Sequence, residues 1–350
     1  MLKAHDTNSE IIINHFDNME IGYAFHDIDG THSLIREWPP VMSICLYDVI
    51  ANGLPEDFDS KENEKRLIEE CGTKSLPETD RFCVESAGLS ALTQMEWAIR
   101  RAVEEGSVKI NCDMNTNSEI IKRIWSGEEI FDELTETDEM RTMLAEKTPR
   151  LFKLYEAVLN GYCRDKNLEK AKKDPESFQV PGSVEFMKFL KDHGVKNYFV
   201  TGAVVEKGMG MHEEVEGLGY KIGEGQLVED ILGSTWTEKM PKEMVMKKLR
   251  EDLKVDGKNV LVVGDGRAEI LAGAEMGALV ISRLPKAAEY QCNICFDSLC
   301  RKLFNRLQAF LCHRNFNNYV FVNFCKLQSF FYHLVSLKAY NLCRNRSVNY

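Results

Sequence analysis

Asp27-Ile28-Asp29-Gly30-Thr31 is the stretch of this 350-residue chain whose residue types and spacing point most directly to chemistry. Two carboxylates at i and i+2, directly after an apolar run, can divide into a nucleophile and an acid/base. A carboxylate that attacks phosphorus forms an aspartyl-phosphate, which a second step must hydrolyse. Gly30 permits a sharp backbone turn and keeps side chains away from an incoming phosphate. Taken alone, the pentapeptide reads equally well as an Asp- and Gly-favoured turn or a calcium-like loop.

Other residues add to it. Thr201-Gly202 ends an apolar run and offers a hydroxyl and backbone N–H groups to phosphoryl oxygens. Lys239 lies two residues before Pro241, in a segment feeding a helix, where a lysine neutralises a phosphate and an aspartate together. Lys242, about one turn further on, competes with it; the position before the proline favours Lys239. Asp265 follows Val-Leu-Val-Val-Gly and is flanked by glycines. It pairs naturally with Asp27 in holding Mg²⁺, a hard cation that takes one or two carboxylates plus phosphate and water. Glu269 stands four residues on, placed to brace that metal through water or to hydrogen-bond a ligand.

Four motifs thus occur in order: DIDGT, the VTG run ending at Gly202, KMPK from Lys239, and VVGDGRAE ending at Glu269. Together they resemble the haloacid dehalogenase superfamily of aspartate-nucleophile hydrolases, and within it the phosphoglycolate-phosphatase-like branch. The resemblance covers about residues 20–33 and 180–285. It implies that Asp27 is the nucleophile, with its other oxygen on Mg²⁺. It implies that Asp29 protonates the leaving alcohol and then activates water, its backbone carbonyl also on the metal. Thr201 becomes the phosphate-orienting hydroxyl, Lys239 the charge-neutralising lysine, Asp265 a metal carboxylate, and Gly202 and Glu269 supporting residues. Two positions depart from the family pattern: His32 replaces a usually apolar residue, and Glu269 stands where aspartate is commonest.

To share one site, residues so far apart must lie on one rim of a sheet. Short apolar strands are expected at Ile21–Phe25, Asn197–Val200 and Val260–Val263, alternating with amphipathic helices. That rhythm predicts an α/β fold, a Rossmann-like parallel sheet covered by helices on both faces, with ligands at the carboxyl ends of its strands. Between the first two motifs the pattern is helical, as in LSALTQMEWAIRRAVEEG. The expected organisation is a catalytic core of residues 1–33 and 181–285 and a helical insertion, 34–180, which the resemblance makes a cap. Arg36, Arg100 and Arg101 read as solvated charges, and Trp97 and Trp125 as core.

Composition supplies the outer limits. Apolar residues make up 44% and charged residues 28%, which excludes wholesale disorder and a multi-span membrane protein. A net charge of −11 argues against nucleic acid as partner. The polar start lacks a secretory signal, and the cysteines before residue 290 have no framework spacing, so a cytoplasmic protein with reduced thiols is expected. Residues 286–350 differ in character: from 291 on they hold eight Arg/Lys against one acid, and six of the eleven cysteines. They are expected to lie outside the catalytic fold, without a membrane span; Cys292-x-x-Cys295 alone is a poor zinc signature. The predicted activity is a Mg²⁺-dependent phosphatase acting on a small phosphorylated metabolite. A sugar phosphomutase of the same fold and a silent phosphoester-binding protein are the alternatives.

Overall fold

In the computed structural model, which describes residues 2–3, 10–15, 20–34, 38–86, 88–236, 239–284 and 319–323, the strand preceding the two aspartates lies in the middle of a sheet. Eight strands make up that sheet: β1 (Leu2–Lys3), β2 (Glu10–His15), β3 (Tyr23–His26), β4 (Lys196–Glu206), β5 (Asp230–Ser234), β6 (Val260–Gly264), β7 (Leu279–Leu284) and β8 (Tyr319–Asn323). Five of them form a parallel set in the order β7-β6-β3-β4-β5. Beyond β7, β8 is added in parallel and β2 and β1 antiparallel. Tyr319–Asn323 therefore joins the sheet, although residues 286–350 were expected outside the fold. A run such as Tyr-Val-Phe-Val, rich in strand-forming residues, matches an open sheet edge. Arg36 and the Cys292/Cys295 pair lie outside the described residues.

Strands covered on both faces need continuous apolar sequence rather than alternation, and every residue of Val260–Gly264 is buried. One face packs against α8 (Ser183–Asp192) and α9 (Gly210–Gly217) through Phe186, Met187, Val215 and Leu218. The other packs against α10 (Lys242–Leu253) and α11 (Arg267–Glu275) through Val245, Met246, Leu249 and Ile270. At Gly273 an added Cβ would meet Val262 and Val280 side chains at 2.9 Å, so glycine lets α11 lie close on the sheet.

Among the described residues, seven α-helices precede α8 between β3 and β4: α1 (Trp38–Asn52), α2 (Lys61–Glu70), α3 (Pro77–Glu85), α4 (Ala91–Glu105), α5 (Met114–Trp125), α6 (Asp138–Leu159) and α7 (Asp165–Lys173). The first six gather round an apolar centre of their own, in which Trp97 stacks on Phe82 at 3.7 Å with Trp125 edge-on to both, while Ala171 of α7 joins the core beneath α8 and α9. The chain leaves and returns to the sheet on adjacent paths: Leu34 N donates to Phe178 O at 2.7 Å and Val180 N to His32 O at 3.0 Å. Arg100, expected on the surface, is buried. Its guanidinium is held by Glu96 at 2.7 Å and Glu136 at 2.5 Å, which offset the desolvation.

Gly273→Val is expected to push α11 off β6 and lower stability by about 1–3 kcal/mol, as overpacking does. Thermal or denaturant unfolding would measure it, and an unchanged midpoint would show that the helix has slack.

Candidate active site

Parallel register decides what shares the rim. His26 pairs with Phe199 on β4 and with Val263 on β6, so Asp27, the next residue, stands level with Val200 and Gly264. Thr201 and Asp265 are then each one residue further along, on either side of it. Asp27 is buried, its N–H donating to Val263 O at 2.8 Å. Carboxylate oxygens of Asp27, Asp265 and Glu269 lie within 4.8 Å of one another.

The cation facing them is Lys242, not Lys239. Lys242 Nζ donates to Asp27 Oδ1 at 2.6 Å and to Glu269 Oε2 at 3.1 Å, with the side chain only 4% exposed. Burial alone would pull that amine down, but Asp27 and then Glu269 outweigh it and hold the lysine above its ordinary range. Lys239 instead pairs with Glu96 of α4 at 2.9 Å. The physical reason is where the helix begins. Pro241 caps α10 from outside, and Lys242 is its first helical residue, aimed along the strand ends. A lysine is disfavoured at a helix N-terminus by the dipole, and two facing carboxylates offset that cost.

Glu269 reaches the site by folding back over its own helix start, Oε1 accepting from Gly266 N at 2.5 Å. Only glycine fits beneath it: a Cβ on Gly264 would sit 2.3 Å from Glu269 Cγ, and one on Gly266 2.8 Å from Oε1. Its carboxyl is raised by burial first, with Asp27 adding and Lys242 opposing.

Asp29 lies at the mouth, half-buried, on the turn closed by Gly30 at φ +78°. Its carboxyl is raised to about 6 by burial and then by the Asp27 charge, against Lys242 and Arg164. Arg164 closes the π-turn Asn160–Arg164 between α6 and α7; such turns often mark functional positions. It donates to both oxygens of Glu156, at 2.5 and 3.1 Å, and its Nε lies 3.4 Å from Glu214 Oε2. Glu214, on α9, is raised to about 8, by burial first and then by Asp29, with Arg164 opposing. Neither Arg164 nor Glu214 carries a motif, so the sequence offers no signal for this neighbourhood.

Thr201 is buried at an irregularity in the β4–β5 register, its hydroxyl accepting from Ala203 N at 3.1 Å. Bulges of this kind re-aim side chains near sites. At Gly202 an added Cβ would lie 2.8 Å from Leu89 O, so the insertion's Gly88–Ser90 loop rests directly on this strand. The same loop approaches α11: a Cβ on Gly88 would be 3.9 Å from Glu269 Oε2.

His32 has a partner that the sequence hid. Asn197 donates through Nδ2 to Met187 O and Leu227 O, so its Oδ1 must accept from His26 Nε2, at 3.0 Å. The network thereby assigns His26 Nδ1 as the acceptor for His32 Nε2–H, also at 3.0 Å. Burial lowers His26 to about 4, with the Asn197 bond opposing, so His26 is neutral. Two histidines clamp both ends of the 27–32 loop.

The oxygen donors fit a hard divalent cation. Glu269 is engaged by Lys242 and Gly266, which makes it the anchor of the lysine, and Asp27 accepts from Lys242 and from the Thr31 hydroxyl; together with Asp265 these carboxylates form the cluster that could hold a metal.

A family described as haloacid dehalogenase-like hydrolase matches residues 87–277, more than half of the chain. No curated protein matches. The chain is similar to a phosphonoacetaldehyde hydrolase-like protein from Oleispira antarctica, at 14% identity and TM-score 0.44, covering 91% of each chain. It is also similar to a predicted phosphatase from Clostridium acetobutylicum (14% identity, TM-score 0.40, covering 82% of this chain and 99% of that one). A third structure is a β-phosphoglucomutase from Clostridium difficile (12% identity, TM-score 0.39, covering 82% and 99%).

Because folded Glu214 keeps its proton to about pH 8 and an unfolded glutamate releases it near 4.5, that contribution to stability is complete at acid pH. It is lost as pH rises through 8. Glu214→Gln is expected to lose less melting temperature than the native chain between about pH 5 and 8.5. Parallel declines in the two proteins would contradict the assignment.

Proposed function

This chain belongs to the haloacid dehalogenase-like hydrolase family, and from that premise we propose that it is a Mg²⁺-dependent phosphatase hydrolysing phosphate monoesters of a small metabolite. The observation that carries the reading is the Asp27–Lys242–Glu269 arrangement beside Asp265 at the strand ends. It sets a buried carboxylate at the rim, with Lys242 donating to one oxygen at 2.6 Å and the Thr31 hydroxyl to the other at 3.2 Å.

In the proposed reaction an Asp27 oxygen attacks phosphorus while the ester oxygen departs, taking a proton from the Asp29 carboxyl. Burial and the Asp27 charge favour the protonated form of Asp29 that this step requires. Water then attacks the phosphorus of the aspartyl-phosphate, giving its proton to the Asp29 carboxylate. Phosphate leaves and Asp27 is restored. Lys242 neutralises the phosphoryl oxygens, sharing its charge between them and Asp27. The Thr201 hydroxyl and the Gly202 N–H orient them. Asp27 and Asp265, with the Asp29 carbonyl that the family resemblance adds, would hold Mg²⁺, which when bound offsets the negative charge of the phosphoryl group. Residues 34–180 act as a cap that excludes water during transfer, a role supported by the Gly88–Ser90 loop lying on Gly202 and near Glu269. No helix among the described residues is long and apolar enough to cross a membrane. The five cysteines among the described residues are free, four of them buried, which supports a cytoplasmic enzyme.

A screen of phosphorylated metabolites with Mg²⁺ is expected to release inorganic phosphate. An isomerised sugar phosphate would indicate a mutase instead, and silence a binding protein. Asp27→Asn is expected to abolish turnover with the fold retained, and undiminished hydrolysis would discard the nucleophile. Lys242→Met should reduce kcat by about 10²-fold or more, the scale seen when one charge-stabilising donor is removed; a smaller loss than in Lys239→Met would return the role to Lys239.

A further inference from the structure

Lys239 is three residues from Lys242, yet its ammonium faces the insertion. There it contacts Glu96 at 2.9 Å and sits over the Phe131 ring at 5.9 Å. Glu96 is held from behind: Arg100 donates twice to its other oxygen, at 2.9 and 2.7 Å, and is itself fixed by Glu136. Lys239 therefore meets a carboxylate that is already in place, with little ordering left to do. Burial would raise Glu96, but Lys239 and then Arg100 keep it below the ordinary range.

Trp236, on the other side of the same connection, makes a second contact. Its ring lies 5.5 Å from that of Phe152 on α6, with the Lys153 ammonium above it at 5.6 Å, and its indole N–H donates to Glu206 at 2.7 Å. The backbone on either side of the two anchors is tied together: Ser234 Oγ, at the end of β5, accepts from Met240 N at 3.1 Å and lies 3.4 Å from Ser90 Oγ. Ser90 N in turn donates to the buried Glu129 at 2.8 Å.

We infer that Trp236 and Lys239 form a clasp through which the insertion sets the position of Lys242. The clasp grips α6 and α4, and its end is Pro241, the cap of the helix whose first residue holds Asp27 and Glu269. Movement of the insertion away from the sheet would pull on Lys239 and Trp236 first, and Lys242 is the next side chain to feel it. Lys239 and Glu96 are thus positioning residues, acting through Lys242. The kinetic part rests on the phosphatase reading; the contact itself does not.

The test uses the full chain labelled with 5-fluorotryptophan, with the Trp236 resonance assigned by Trp236→Phe. In Lys239→Met the Trp236 line is expected to show a larger H₂O/D₂O shift, while the line of Trp97, buried inside the insertion, stays. With p-nitrophenyl phosphate and Mg²⁺, kcat should fall by about tenfold or more with KM changed less than about threefold, as for a misplaced rather than missing group. Lys239→Arg should recover most of both effects. A Trp236 line that does not respond to Lys239→Met overturns the clasp, and so does a shifted line with kcat kept within about twofold. If the native chain hydrolyses nothing, the phosphatase reading falls and the Trp236 line alone decides the clasp.

Discussion

A buried cluster of carboxylates cannot stay ionised without a counter-charge, and the rest of this site follows from how that charge is delivered. Asp27, Asp265 and Glu269 place oxygens within 4.8 Å of each other. At such separations and at reduced dielectric, like charges repel by several kcal/mol on the scale of about 4 kcal/mol at ε near 20. One lysine, itself almost fully buried, sits between two of them. Removing it would leave uncompensated charge in the interior, which costs far more than the pair gains over an apolar substitute. The same geometry leaves Asp29, at the mouth, under the influence of Asp27 but without a direct cation.

That delivery depends on close approaches between elements. Gly273 lets α11 settle on β6, Gly264 and Gly266 let Glu269 fold back over the helix start, and Gly202 lets the insertion's loop touch β4. Each is a position where a single Cβ would separate two chemical groups that have to meet. The sheet's two faces and the insertion have separate apolar centres. The insertion meets the loop before α10 and the end of β5 at Lys239 through Glu96, at Trp236 through the Lys153 ammonium, and at Ser234 through Ser90.

The loop bearing the two aspartates is held by a polar device. His26, His32 and Asn197 are all buried, and burying polar groups is costly unless they are hydrogen-bonded. Here the Asn197 carbonyl oxygen sets one tautomer, which sets the next. A single histidine at position 32 would have been a liability; His26 gives its Nε2–H a directional partner. It lies directly behind Asp27, where a small rotation of the backbone would move both carboxylates.

Read as sequence, the chain declared its strands, its helical insertion and the polar residues at its strand ends, because apolar continuity, helical periodicity and Asp-Gly turns are local properties. DIDGT, Thr201, Asp265 and Glu269 all fall on or beside one rim, as the alternation of helix and strand required. What the sequence left open were choices between near neighbours and pairings across long separations. Lys239 and Lys242 differ by three residues, and only the angle at which α10 leaves Pro241 turns one toward Asp27 and the other toward Glu96. Arg100 looks like any surface arginine until Glu96 and Glu136 close round it, and His32 looks misplaced until His26 and Asn197 are beside it. Glu214 and Arg164 come near Asp29 only because α9 and the π-turn are folded against each other. Such outcomes belong to tertiary structure, since charge compensation and hydrogen-bond pairing depend on distances in space that residue spacing along the chain does not set.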